Sequence, residues 1–270
     1  MTRSEWETLY RWEWFRREQW RPRFREQKAG KTGGSCRVFK DLLQEIDGDL
    51  ALDCTCGFGL KTIVMKEMGI HIVGSDACAF AVEKARELAR LEGHEIEFFT
   101  SSWAELPSRT SHRFDGIFND ALSWTLTREE FQASLVGFYE ALNPGGILVF
   151  FGAEEGSPSD SESRRKLLDD LWGRRPKFSI EWTHKADDVR CTSILVREKG
   201  DMHVDGHHVF LIEDGGSQRT ETATIREPMY WDWDILQGLF AEAGFASLHT
   251  RSFPGMGHGG ATINLDVAAK

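Results

Sequence analysis

The sequence predicts an α/β fold: a mainly parallel sheet with helices on both faces, an N-terminal helical arm and an inserted antiparallel flap. Three observations carry this. Between residues 50 and 151, short apolar runs alternate with amphipathic runs, the pattern of a parallel sheet whose crossovers are helices. The first of those runs leads straight into a turn containing Gly57 and Gly59. Between residues 179 and 226, strand-like runs follow one another with no helical pattern between them, which implies antiparallel pairing.

The elements follow in order. Trp6, Tyr10, Trp14 and Arg17 recur at helical spacing, so a helix is expected over residues 4–20, with Pro22 as its stop and a glycine-rich hinge over 28–34. A short amphipathic helix is expected over 38–46. Strands are expected at 50–54, 70–75, 96–100, 114–119 and 147–151, and helices at 62–68 and 79–91. Thr127 and Glu130 form a capping box that opens a helix carrying Phe131, Leu135, Phe138 and Leu142 on one side. Asn143-Pro144-Gly145-Gly146 is expected to end it. A charged helix over 164–172 precedes flap strands at 179–184, 191–197, 207–213 and 221–226. A helix over 233–243 and strands at 246–251 and 263–268 then complete the main sheet, which thereby reaches seven strands.

Composition bounds the function. The chain has 270 residues, 40% hydrophobic and 28% charged, enough for a packed core. No apolar run approaches the roughly 20 residues that span a bilayer, and the first residues lack the apolar stretch of a secretory signal. A cytoplasmic protein is expected. The five cysteines form no evenly spaced framework and are read as reduced thiols. The net charge of −10 is uneven: residues 1–40 hold 11 basic against 5 acidic residues, and the remainder 22 against 38. An acidic body argues against a nucleic-acid surface, which works by neutralising phosphates. The basic arm leaves a narrower contact with a partner or RNA open.

The chemistry concentrates in Asp53-Cys54-Thr55-Cys56-Gly57-Phe58-Gly59, at the junction of first strand and first helix, where open α/β sheets bind ligands. Asp76 ends the second strand, where a carboxylate can accept both hydroxyls of a ribose. A dinucleotide site wants a third small residue where this chain has Thr62. Moreover, Asp53 would repel a pyrophosphate and suits a cationic amine or sulfonium.

The segment LDCTCGFGLKTIVMKEMGIHIVGSDAC resembles the first two motifs of class I S-adenosylmethionine-dependent methyltransferases, and most resembles their glycine and glycine/sarcosine N-methyltransferase group. The Asp76-Ala77 pair, Ser102-Trp103 with Leu106-Pro107, Phe114-Asp115 and NPGGILVF support the likeness, which covers about residues 37–151. It implies a seven-stranded Rossmann-like sheet and S-adenosylmethionine as cofactor, leaving as S-adenosylhomocysteine. It also implies four segments: an aromatic and basic lid over 1–36, a cofactor-binding core over 37–151, a substrate flap over 152–228 and completion of the core over 229–270. By the same resemblance, Asp53, Cys54, Gly57 and Gly59 hold the methionine end, Asp76 the ribose, and Ala77, Ser102 and Trp103 the adenine. Ser102 departs from the acid common in the wider superfamily. Asn119 and Asp120 begin the loop beside the transferable methyl, with Trp124 further along it. Tyr10 and Arg37 are the nearest matches to a tyrosine and an arginine that help close the site.

The expected reaction is methyl transfer to a small polar molecule, with an amino acid or small amine as acceptor. It is an in-line displacement that asks chiefly for alignment and exclusion of water. Asp120 is a candidate acceptor for the amine proton, and equally reads as a cap of its own loop. Tyr10 is a candidate catalytic residue, and Trp14, Arg37, Trp124 and His208 are candidate substrate contacts. Trp6, Trp12 and Trp14 equally fit helix packing, and Arg37 an exposed position. His203 and His207 on a strand would lie about 13 Å apart, too far for one ion, so no metal is expected. An oxygen or sulfur acceptor on a natural-product metabolite, and a catalytically silent cofactor-binding protein, stay open at this point. So does the oligomeric state.

Overall fold

A computed structural model describes residues 3–16, 34–122, 127–151, 161–200, 203–228, 233–257 and 261–270. The chain divides into two compact units, Met1–Trp20 with Pro158–Trp231, and Arg21–Ser157 with Asp232–Lys270.

In the larger unit, α2 (Gly34–Glu45) precedes the alternation β1 (Leu50–Asp53), α3 (Leu60–Glu67), β2 (His71–Asp76), α4 (Ala79–Leu91), β3 (Phe98–Thr100), α5 (Leu106–Arg109), β4 (Phe114–Asn119), α6 (Arg128–Ala141) and β5 (Leu142–Phe150). After the smaller unit, α8 (Trp233–Ala243), β10 (Ser247–Phe253) and β11 (Ile263–Ala269) return to the same sheet. The seven strands run β10-β11-β5-β4-β1-β2-β3. The five from β1 to β5 are parallel, and β11 lies antiparallel to both β5 and β10. This is the mainly parallel sheet that the sequence predicts. Strand order reverses between β1 and β4, so their carboxyl ends flank a crevice.

Successive residues of a strand face opposite sides, so each central strand feeds two cores. On one side Ala51, Ile72, Phe118 and Val149 pack against Val38, Phe39, Leu42 and Leu43 of α2 and Val64 and Met65 of α3. On the other, Phe150 stacks on Phe240 of α8 with ring centroids 5.3 Å apart, and Phe240 meets Phe131 of α6. Burying a Phe or Leu in such a layer contributes about 1.5–3 kcal/mol. Strands covered on both faces read as unbroken apolar runs, which is why they are legible in the sequence.

The boundaries differ in instructive ways. Helix α2 starts four residues before its apolar periodicity does, with Ser35 and Cys36 already buried. Helix α5 has no periodic signal in the sequence; Pro107 pre-organises its start. Residues 143–146 do not separate helix from strand. Leu142 already pairs with Phe114, the register then jumps so that Gly116 pairs with Ile147, and the four residues form a bulge within β5. Asp115 explains the bulge. Its Oδ1 accepts from Asn143 Nδ2 at 2.8 Å, and its Oδ2 accepts from the backbone N–H groups of Asp49 and Leu50, each at 3.0 Å. Phe114-Asp115 and the NPGG turn therefore pin the amino edge of the sheet, opposite the crevice.

The smaller unit holds α1 (Arg3–Phe15), α7 (Ser161–Arg174) and an antiparallel meander of β6 (Phe178–Ala186), β7 (Val189–Lys199), β8 (His203–Asp214) and β9 (Ser217–Pro228). Gly215 and Gly216 both have positive φ and close a two-residue hairpin between β8 and β9. These strands are longer than expected because the ladder continues through charged residues that hydrophobicity does not flag. Trp12 of α1 is 5% exposed and packs with Trp182, Cys191, Phe210 and Ile212 of the sheet. Its indole N–H donates to Glu221 Oε2 at 2.8 Å, and Trp182 donates to Glu13 Oε1 at 3.2 Å. Trp12 is thus a packing residue. The hinge over 28–33, Pro22, Trp20, Tyr230 and Trp231 lie outside the described residues. Among the described residues no helix is long and apolar enough to cross a membrane.

Candidate active site

The carboxyl ends of β1, β2 and β4 bring most of the expected residues together. The chain leaves β1 at Asp53, turns through residues 54–59 and enters α3 with Gly59 as its N-cap. Gly59 has φ of 80°, a left-handed conformation that favours glycine, and a Cβ there would stand 3.1 Å from Ala85 Cβ and 3.2 Å from Phe98 Cζ. The turn is stitched to its neighbours. Cys54 N donates to Phe118 O at 3.1 Å, Cys56 N to Ser75 O at 3.0 Å, and Gly57 N to Asp76 Oδ2 at 3.0 Å.

Asp53 does not face the crevice. It is 1% exposed, its Oδ1 accepts from Thr55 N at 3.3 Å, and its Oδ2 accepts from Thr62 Oγ1 at 2.7 Å. It therefore holds the turn closed. Burial first, and the nearby Asp120 second, push its carboxyl up to about 7 against the opposing Thr62 hydroxyl and Lys61 ammonium. Thr62, the residue that breaks the dinucleotide pattern, is its hydrogen-bond donor.

Asp76 lies at the end of β2, where Oδ2 accepts from Gly57 N and Oδ1 from Cys78 N at 2.9 Å. Ala77 beside it is exposed. Ser102 donates to Glu105 Oε2 at 2.9 Å, which brings to this position the acid that Ser102 itself lacks. That hydrogen bond, with a second from the Ser102 backbone and the Arg109 charge, holds the Glu105 carboxyl below its usual range. Trp103 donates its indole N–H to Cys54 O at 2.9 Å and packs on Phe138, so it braces the turn from behind.

At the end of β4, Asn119 is wholly buried. Its Oδ1 accepts from Ala121 N at 2.9 Å, while its Nδ2 has no hydrogen-bonding oxygen among the described residues and lies by the Cys54 sulfur. Asp120 is engaged at both oxygens: Oδ1 accepts from Thr55 Oγ1 at 2.8 Å and Oδ2 pairs with Lys61 Nζ. Burial alone would lower the Lys61 ammonium, but Asp120 and Asp53 outweigh it and hold it above its ordinary value. Cys36 completes this group from α2, its thiol pushed up to about 11 by burial with Lys61, Asp53 and Asp120 nearby.

Sequence reasoning missed Lys61, Thr55, Thr62, Glu105 and Cys36 as members of the site. The one available signal was Thr62, conspicuous for what it was not. Arg37 sits on the exposed side of α2, between residues that are buried. Tyr10, Trp14 and His208 belong to the smaller unit. There Tyr10 stacks on Trp6 at 5.8 Å and His208 on Phe210 at 6.3 Å. Trp124 lies outside the described residues. All five cysteines are free and buried. Among the described residues no group of three or more His, Cys, Asp or Glu is placed to hold a metal.

Residues 51–146 match the family described as methyltransferase domain. Over 100 residues, 36% of this chain and 37% of the relative, the sequence is 31% identical to a glycine/sarcosine N-methyltransferase of Halorhodospira halochloris. Over 115 residues, 42% of this chain and 41% of the relative, it is 30% identical to the S-adenosyl-L-methionine-dependent Diels-Alderase iliD of Neonectria sp. (strain DH2). The chain thus matches about two fifths of the length of these curated relatives. The solved structure of the sugar N-methyltransferase KedS8 from Streptoalloteichus sp. shares the fold, with a TM-score of 0.63 over 87% of this chain and 86% of that chain at 11% identity. With the sheet order and the turn between β1 and α3, these likenesses show that residues 51–146 are similar to a methyltransferase domain and that the chain shares the fold of such proteins.

Proposed function

We propose that the protein transfers a methyl group from S-adenosylmethionine to the nitrogen of a small polar acceptor, an amino acid or small amine. The observation that carries the reading is the charge of the crevice. The Asp120 carboxylate at the β4 end is paired with the Lys61 ammonium, and the Asp53 carboxyl lies buried behind the turn at the β1 end, so among the described residues this edge presents no excess of cations. That balance disfavours a pyrophosphate and favours a cationic centre. The residues fit the cofactor on structural grounds: a glycine turn open to close approach, the Asp76 carboxylate at the strand end, and a buried Asn119 amide whose Nδ2 lacks an oxygen partner.

When bound, S-adenosylmethionine supplies a methyl on a sulfonium, open to in-line displacement. In this reading Asp76 accepts the ribose hydroxyls, Ala77 and the residues from Ser102 to Glu105 border the adenine, and the 54–59 turn supports the methionine end. Asp120 acts as a fixed negative charge rather than as the proton acceptor, because Thr55 and Lys61 already hold both its oxygens. The amine therefore loses its proton to water before attack. The relative named as a glycine/sarcosine N-methyltransferase, and the fold neighbour named as a sugar N-methyltransferase, support nitrogen as the acceptor atom. The relative named as a Diels-Alderase keeps natural-product chemistry, with an oxygen or sulfur acceptor, as the alternative.

The test offers the purified protein S-adenosylmethionine with a panel of amino acids, amines, phenols and thiols. Mass spectrometry then reads S-adenosylhomocysteine together with a methylated product. Product from amino acids or amines supports the proposal; product from phenols or thiols alone replaces it with the alternative. S-adenosylmethionine binding with no turnover across the panel overturns both acceptor assignments.

A further inference from the structure

We infer that Lys61 receives the carboxylate of the cofactor's methionine end, and that the Lys61–Asp120 pair makes the site discriminate against a cofactor that lacks this carboxylate. The inference rests on the reading of the crevice as an S-adenosylmethionine site.

Three observations lead to it. Lys61 follows Gly59 by two residues in the first turn of α3, and its side chain is 32% exposed, so it borders the crevice. Its Nζ donates to Asp120 Oδ2, leaving two of the three ammonium hydrogens without a side-chain or carbonyl acceptor among the described residues. The ammonium also faces two aromatic rings, Phe118 at 5.4 Å and Phe151 at 6.0 Å, which hold a cation in place without using its donors.

The place of Lys61 along the sheet edge identifies the anion. Asp76, the ribose carboxylate, ends β2 on one side of β1, whereas Lys61 and Asp120 meet on the other side, at the β4 end. A nucleoside anchored at Asp76 would have to extend its amino-acid arm across the 54–59 turn to reach that end. The arm carries one anionic group, its carboxylate, and among the described residues this crevice edge offers one cation with donors to spare. Asp120, fixed by Thr55, prevents Lys61 from folding away and keeps it charged. Arg37, the cation that the sequence pattern offers for a carboxylate, is exposed on the far side of α2's buried stripe.

The test is calorimetric and needs no turnover. S-adenosylmethionine and decarboxylated S-adenosylmethionine differ only in this carboxylate. The wild type is expected to prefer the first by about 10- to 100-fold, the value of a charge-assisted hydrogen bond. Lys61→Met should lose that preference by weakening S-adenosylmethionine alone, and Lys61→Arg should restore most of it. Asp120→Asn, which removes the partner that fixes Lys61, should reduce the preference, though less than Lys61→Met does. Thermal melting of each variant shows that it is folded. Equal losses for both nucleosides in Lys61→Met would make Lys61 a brace for the loop and overturn the assignment, as would an unchanged preference. A wild type that binds neither nucleoside would overturn the cofactor reading itself, a result distinct from either.

Discussion

Asp53→Asn separates what the buried acid does for the fold from what it does for the ligand. Burial and Asp120 raise the Asp53 carboxyl from 3.8 to about 7. A carboxyl whose pKa rises on folding stabilises the fold fully below the unfolded pKa, and that contribution drains away as pH rises to the folded value. A shift of about three units, at roughly 1.36 kcal/mol each, is about 4 kcal/mol. Asparagine keeps an oxygen for Thr55 N and offers an amide to the Thr62 hydroxyl, so the turn keeps its bonds. The variant should therefore match the wild type near pH 4 and be more stable by about 2–4 kcal/mol at pH 8. Urea unfolding followed by hydrogen exchange of peptides from β1 and α3 reads this at each pH. The same variant should bind S-adenosylmethionine more weakly at pH 8, because the buried negative charge behind the turn is lost. A stability difference that does not change between pH 4 and pH 8, or an asparagine variant less stable at pH 8, would refute the assignment of a strained, buried charge.

Gly59→Ala should cost about 1–3 kcal/mol, since alanine must adopt a positive φ and crowd Ala85 and Phe98, and a lower melting temperature would show it. Asp76→Ala should weaken S-adenosylhomocysteine binding by about 1.5–3 kcal/mol in calorimetry while leaving the sheet folded by circular dichroism. Trp12→Ala should cost about 3–5 kcal/mol of stability in the α1–sheet unit through its lost packing, seen as faster proteolysis of β6 to β9. Thr127→Ala removes a capping box at the start of α6 and should cost about 0.5–2 kcal/mol in urea unfolding.

What the sequence makes legible is local. Strands β1, β2, β4 and β5 declare themselves as apolar runs because both their faces are covered, and the glycine turn declares itself because no other residue type fits Gly59. Asp53 and Asp76 are legible as acids at strand ends. What stays hidden is pairing at a distance. Lys61 and Asp120 are 59 positions apart and meet only because β4 is laid beside β1. No periodicity within one segment carries that. The same holds for Trp12 and Glu221, 209 positions apart, which turn an aromatic arm into the cover of a sheet. For Asp53 the sequence points to the right place with the wrong reach, since its hydrogen bonds to Thr55 and Thr62 are invisible until the turn is folded. NPGG reads as a turn, but Asp115, which makes it a bulge, ties it to the opposite edge.

The proposal that the crevice between β1 and β4 takes S-adenosylmethionine is tested most directly by one titration. Wild type and Asp76→Ala are each titrated calorimetrically with S-adenosylhomocysteine and, separately, with a nicotinamide dinucleotide. Saturable binding of S-adenosylhomocysteine that Asp76→Ala weakens, with no heat from the dinucleotide, is the expected result. Binding of the dinucleotide, or no binding of S-adenosylhomocysteine by the folded wild type, would contradict it.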